Sequence, residues 1–213
     1  AIDLLGKRED EQRTADLADE PIQGITLEYE GTTYRYRDDL TTYLVMGTDE
    51  TTESLSYDPG INYNNRQADF ISLMILDRTN KTYSLLMLNR DTFMYVYQLD
   101  ENGNPTELVP KHLSIAYSYG TGGKESCRNV AEAVSRLMFG VPVDHYVAVT
   151  MDGIPVMADT VDGVPVTLDE DLTTVDPAYT EGATVILKGN EALRFVRLRM
   201  NVSDGTVLRR LQG

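Results

Sequence analysis

Cysteine and histidine are nearly missing from this chain. Cys127 is the single cysteine, and His112 and His145 are the only histidines among 213 residues. One cysteine excludes an intrachain disulfide and a cysteine-based zinc site. Without a histidine beside it in sequence, Cys127 also makes a poor nucleophile. The two histidines lack ligand spacing and read as core or surface residues. Bases are scarce as well: 19 Lys and Arg stand against 34 Asp and Glu, a net charge of −15 that argues against DNA, RNA or an anionic membrane surface as the main partner. No apolar run approaches the ~20 residues of a membrane-crossing helix, and no signal peptide, repeat or low-complexity tract is visible. The chain opens on Ala1 rather than methionine, so the lack of an anchor within it carries little weight.

What is present suffices for one substantial core. Charge is unevenly spread. Residues 1–30 hold nine acids against three bases, whereas Lys188 onward holds six bases against two acids. A basic cluster in so acidic a protein points to a local anion site. Residues 1–38 read as an acidic N-terminal segment, with 1–23 a tether or short surface helix and Tyr29–Tyr36 a hairpin turning near Gly31. The main domain, 39–213, begins with a core strand at Thr42–Met46. A long polar loop, 48–67, follows. Two apolar runs, Phe70–Leu76 and Tyr83–Leu88, flank Asp77-Arg78-Thr79-Asn80-Lys81 and form a hairpin. Helices are expected over Lys111–Tyr119, Ser126–Phe139 (stopped by Gly140), Asp152–Asp162 (Pro155 near its start) and from Gly189 through Arg194 and Arg197. His145–Thr150 and Val164–Leu168 read as strands.

The hairpin brings chemistry together. Asp69 opens its first strand and Arg90 follows its second, so both fall at one edge. If Thr42–Met46 runs parallel to Tyr83–Leu88, Asp49 joins them, where open α/β sheets collect ligands. Taken singly, Asp49 is a turn or cap residue, Asp69 a strand boundary, and Arg90-Asp91-Thr92 a turn with a local ion pair. Together, carboxylates for a hard divalent cation and guanidinium forks are what a diphosphate requires. Arg194, Arg197 and Arg199 have a competing account in the helix dipole. That account leaves unexplained why all are Arg and none Lys, which bidentate phosphate recognition does explain. Tyr117 and Tyr119 before Gly120 line a cleft or pack a helix. The apolar face of 126–139 is core, or borders a channel for a lipid tail.

Leu44-Val45-Met46-Gly47-Thr48-Asp49, Gln67-Ala68-Asp69, Leu88-Asn89-Arg90-Asp91-Thr92, Ala116-Tyr117-Ser118-Tyr119-Gly120, Val141-Pro142-Val143-Asp144-His145-Tyr146, Val161-Asp162-Gly163-Val164-Pro165-Val166, Gly189-Asn190-Glu191-Ala192-Leu193 and Phe195-Val196-Arg197-Leu198-Arg199 occur in this order. Over roughly 41–213 the chain thereby resembles the LytR-CpsA-Psr family of bacterial cell-envelope proteins. The resemblance implies an α/β/α sandwich, a mixed central sheet flanked by helices on both faces, on the extracytoplasmic side of the membrane and normally held by one N-terminal helix. It implies transfer of a glycopolymer (teichoic acid, capsule or another secondary wall polymer) from an undecaprenyl-pyrophosphate carrier to peptidoglycan, typically to the 6-hydroxyl of N-acetylmuramic acid. An older association of the family is with transcriptional attenuation.

By the same resemblance Asp49 and Asp69 bind magnesium, with manganese the alternative, or act on the acceptor hydroxyl. Arg90, Arg197, Arg199 and one of Arg209 or Arg210 grip the pyrophosphate, and Arg90 belongs with the two aspartates in catalysis. Two positions depart from the pattern. The arginine usual two residues before the second aspartate is Gln67 here, with Arg66 adjacent. The tail's Arg-Gln pair would start at Gly213 if Arg210 fills the preceding arginine's place. Two rival readings use the same residues: a magnesium-dependent polyprenyl-pyrophosphatase with water as acceptor, and a non-catalytic envelope-binding or regulatory protein.

Overall fold

A computed structural model describes the backbone of residues 3–7 and, in full, residues 26–37, 39–49 and 62–197. The chain divides into two compact units, Ile2–Val149 and Thr150–Gly213 together with Ala1.

The first unit is built on a five-stranded sheet. Its strands are β1 (Asp3–Lys7), β4 (Leu40–Thr48), β5 (Ala68–Asp77), β6 (Thr82–Met87) and β9 (His145–Thr150), in the order β1-β9-β4-β5-β6. With its helices, this mixed sheet makes an α/β fold. Alternation along β4 buries Thr42, Leu44, Met46 and Thr48, and the register sets Leu44 opposite Leu73 and Met46 opposite Ile71. That face packs on helix α1 (Lys124–Leu137), whose Val130, Ala133 and Val134 are fully buried. The apolar face of α1 is therefore core, each buried valine contributing about 1.5–3 kcal/mol. At its end the N–H of Gly140 donates to Ser135 and that of Phe139 to Arg136, the pattern of a Schellman cap. Phe139 there takes the left-handed conformation, φ 57°.

The expected hairpin at 29–36 is β2 (Thr26–Tyr29) and β3 (Thr32–Arg35), turning through Glu30 and Gly31. The 69–88 hairpin also forms, β5 pairing with β6 down to Asp77 opposite Thr82. Two expectations are corrected. Within the expected tether, Asp3–Lys7 is a strand pairing antiparallel with β9; the exposed edge of β9 offers backbone partners that no side-chain alternation announces. The expected Lys111–Tyr119 helix is shorter and tighter, a 3-10 helix over Leu113–Ser118. Lys111 and His112 belong instead to β8 (Pro105–His112), paired antiparallel with β7 (Phe93–Leu99). Pro110 favours extended backbone before it and cannot serve as a mid-helix donor.

The second unit contains α2 (Gly153–Thr160), β10 (Val164–Thr167), β11 (Thr184–Leu187) and α3 (Gly189–Arg197). Antiparallel β10 and β11 share a small core of Ala158, Leu168, Leu172, Tyr179, Leu187 and Ala192 with the helices. Burial, then Glu191 2.8 Å away, push the Tyr179 phenol up to about 12. No helix among the described residues is long and apolar enough to cross a membrane.

The β5–β6 turn generates a pH prediction. Asp77 accepts the Asn80 backbone N–H and side-chain amide at 2.9 Å each, and Arg37 at 2.9 Å. These bonds, Asn80 first, hold its carboxyl down at about 2. A depressed carboxyl stabilises the fold above its unfolded value, about 4, and that contribution is lost as pH falls through about 2. Asp77→Asn lowers the melting temperature at neutral pH, and the gap to the parent closes toward pH 2 in thermal melts. An equal gap at every pH counts against this assignment.

Candidate active site

Strand directions decide where the acidic and basic groups meet. β4 runs antiparallel to β5, and β5 antiparallel to β6, so β4 and β6 run the same way. The end of β4, the start of β5 and the end of β6 share one edge of the sheet. Thr48 lies opposite Ala68 and Ser72 opposite Met87, which puts Asp49, Gln67, Asp69 and Arg90 at that edge. A register irregularity between Gly47 and Thr48 re-aims the last residues of the pair, as bulges beside sites do.

The contacts there are specific. Asp49 Oδ1 accepts the backbone N–H of Gln67 at 2.9 Å, which anchors the half-buried carboxylate across the ladder. Arg90 Nη1 donates to Asp69 Oδ1 in an ion pair, and Arg90 Nε lies 3.6 Å from Asp91. A guanidinium has five N–H donors, more than these two carboxylates occupy. Asp69 therefore fixes the direction of the Arg90 fork while leaving it donors for an oxyanion. The Arg90 carbonyl accepts Ser114 N–H at 3.0 Å, tying the turn to the 3-10 helix.

Gln67 and Arg66 rest on a network that sequence reasoning missed. The Asn64 amide donates to the carbonyls of Tyr117 (2.9 Å) and Gly120 (3.0 Å) and approaches Ser126 Oγ at 3.1 Å. Its Oδ1 accepts the Arg66 N–H, and Ser118 Oγ donates to the Arg66 carbonyl. Ser114 Oγ reaches Gln67 Oε1 at 3.4 Å, whereas the Arg66 guanidinium lies against Gly122. A Cβ at Gly122 (φ +80°) would come 3.3 Å from Arg66 Nη1, and one at Gly120 (φ +99°) 2.8 Å from Ser126 Oγ. The one available signal was composition: Asn62, Asn64 and Asn65 crowd a polar stretch. In a polar loop such residues are ordinarily turn formers. Tyr117 and Tyr119, 3% and 0% exposed, pack inside the core and line no cleft.

The basic cluster is placed less completely. Arg194 and Arg197 stand exposed on α3, whose other side buries Ala192 and packs Phe195 on Tyr179. A cavity of about 140 Å³ lies in the same unit, lined by residues including Tyr179, Glu191 and Arg194. Arg199, Arg209 and Arg210 fall outside the described residues. No group of three or more His, Cys, Asp or Glu side chains among the described residues is arranged to hold a metal. The oxygen donors of Asp49 and Asp69 suit in kind a magnesium ion that keeps several waters, and not a zinc centre.

This chain belongs to the LytR_cpsA_psr family, whose profile matches residues 7–212. The match reaches well into the acidic N-terminal segment, beyond the stretch from 41 that the motifs marked. Polyisoprenyl-teichoic acid–peptidoglycan teichoic acid transferase TagU of Bacillus mycoides is 26% identical over 171 residues, covering 79% of this chain and 47% of that protein. The chain thus spans about half the length of the curated relatives it matches. A solved Listeria monocytogenes protein, described as a transcriptional factor, is 26% identical with a TM-score of 0.56, covering 82% of this chain and 60% of that one. A structure of TagT bound to LIIa-WTA shares the fold at 24% identity and TM-score 0.50, over 76% and 55% of the two chains.

Asn64→Ala tests the supporting network. It leaves buried carbonyls at Tyr117 and Gly120 without their donor, at a cost of about 1–3 kcal/mol. Urea unfolding should show a lower midpoint with an unchanged slope; an unchanged midpoint would remove Asn64 from this role.

Proposed function

We propose that this chain carries the active site of a cell-wall transferase that moves a glycopolymer of the teichoic acid class from a polyprenyl-diphosphate carrier to peptidoglycan. The single observation that carries the reading is the convergence of Asp49, Asp69 and the Asp69-paired Arg90 at one sheet edge. Family membership and likeness to the TagU transferase support it. We place the site on the extracytoplasmic face of the bacterial membrane, and retain 1–38 and 39–213 as N-terminal segment and catalytic domain.

The chemistry is phosphoryl transfer. An acceptor sugar hydroxyl forms a new P–O bond to the sugar-linked phosphorus of the diphosphate, and the P–O bond to the polyprenyl phosphate breaks. The hydroxyl proton passes to a carboxylate, Asp49 or Asp69. Arg90 neutralises charge growing on the departing phosphate, and Asp69 holds its fork in place beforehand, so little reorganisation is needed as the charge develops. Arg66 and Gln67, at the same edge, complete the diphosphate's contacts in this proposal. Magnesium (or manganese), held by Asp49 and Asp69, would supply further charge neutralisation on the phosphate oxygens.

Arg90→Ala and Asp69→Asn each lower transfer of a lipid-diphosphate-linked glycan to peptidoglycan fragments on the order of 10²-fold or more, with thermal stability near the parent's. Arg90→Lys recovers only part, because an ammonium cannot reproduce the planar fork. Polymer attachment in cells left unchanged by Asp69→Asn would point to a non-catalytic binding or regulatory protein. Release of free glycan phosphate with no acceptor joined would point to a pyrophosphatase.

A further inference from the structure

We propose that the exposed face of the β7–β8 hairpin is a stacking platform for the sugar rings of the acceptor glycan strand. The proposal rests on the transferase reading and extends it to the second substrate. Alternation sorts the hairpin into two faces. Val96 is fully buried, and Met94 and Val109 pack against the core. The other face sets Phe93 opposite His112 and Tyr95 opposite Pro110, whereas Tyr97, opposite Leu108, is half-buried against the core with the Arg136 guanidinium 4.5 Å over its ring. Phe93 and Tyr95 are 67% and 61% exposed. Successive rows stand roughly 7 Å apart, two residues of strand rise.

Contiguous exposed rings of this kind are rare away from binding surfaces. These rings stand open to solvent on one side of a two-stranded sheet, whereas an isoprenoid chain is held in a concave apolar site. The rings also carry polar tips. His112 Nδ1–H donates to the Asp91 carbonyl at 2.8 Å, which turns the ring edge-on to Phe93, 5.8 Å away at 80°. In the neutral ring this leaves Nε2 as an acceptor. A pyranose is amphipathic in the matching sense, with C–H groups on its faces for the rings and hydroxyls at its rim for the tips. Phe93, Tyr95, Pro110 and His112 carry no fixed charge, which suits a neutral sugar face better than a polyanionic polymer.

Continuity with the active site selects the acceptor. Asp91 follows Arg90 directly, Leu113 N–H donates to the Thr92 carbonyl, and Ser114 N–H to that of Arg90. The platform therefore begins at the same turn that presents the diphosphate-gripping arginine. The donor is held through its own diphosphate. The acceptor brings only a neutral hydroxyl and needs an uncharged surface of its own to place it. A second copy of a chain with net charge −15 is the less favoured occupant because of self-repulsion.

Phe93→Leu with Tyr95→Leu keeps the face apolar and the core face intact while removing both rings. Titrate parent and double variant with the β-1,4-linked N-acetylglucosamine tetramer, following backbone amide resonances, and separately with inorganic pyrophosphate. The parent should show saturable shifts around Phe93, Tyr95 and His112. The variant should bind the tetramer on the order of fivefold more weakly or worse, with pyrophosphate binding unchanged. A parent that does not bind the tetramer, or a variant that binds it equally well, overturns the platform. Shifts at these residues that follow protein concentration instead of tetramer overturn it in favour of an interface between copies. If the tetramer binds as described while pyrophosphate binds nowhere, the platform stands and the transferase reading falls.

Discussion

Two successive antiparallel pairings constrain everything else at this site. Because β4 pairs with β5 and β5 with β6 in that sense, the C-terminal ends of β4 and β6 and the N-terminal start of β5 meet at one edge. The register is held by the buried face of Leu44, Met46, Ile71 and Leu73. A slip of one residue would turn those side chains to the opposite face. Core packing and site geometry are one constraint, since the same register that buries the leucines aligns Asp49 with Gln67 and brings Asp69 to Arg90.

Electrostatics at that edge is a balance of opposed charges. Arg90 stands among carboxylates, its fork aimed by the ion pair with Asp69 and with Asp91 close by. Around it, neutral groups carry the positioning: Asn64, Ser114, Ser118 and Ser126 hold the 64–67 segment through hydrogen bonds. Neutral partners avoid the cost of stranding an unpaired charge in a part-buried place.

Local patterns were legible where a segment's own residues decide its state. Apolar runs of strand length on either side of Asp77–Lys81 gave the β5–β6 hairpin, Gly31 marked the β2–β3 turn, and the spacing of Val130, Ala133 and Val134 gave α1. The β7–β8 hairpin was not legible. His112 and Leu113 abut in sequence, yet one ends a strand and the next begins a 3-10 helix, because pairing with Phe93 outweighs any helical spacing across Lys111–Tyr119. The strand at Asp3–Lys7 escaped for the same reason: its partner is β9, and nothing in its own five residues names that edge.

The sequence by itself determined the family and the α/β class, since motif order and side-chain patterning are local properties. Only the tertiary structure decided that Asn64 clamps the carbonyls of Tyr117 and Gly120, 53 and 56 positions away. It alone decided too that Tyr117 and Tyr119 lie in the core while Phe93 and Tyr95 face outward. Those outcomes depend on which distant segments pack together, and burial and long-range hydrogen bonds exist only once the sheet and α1 have closed on one another.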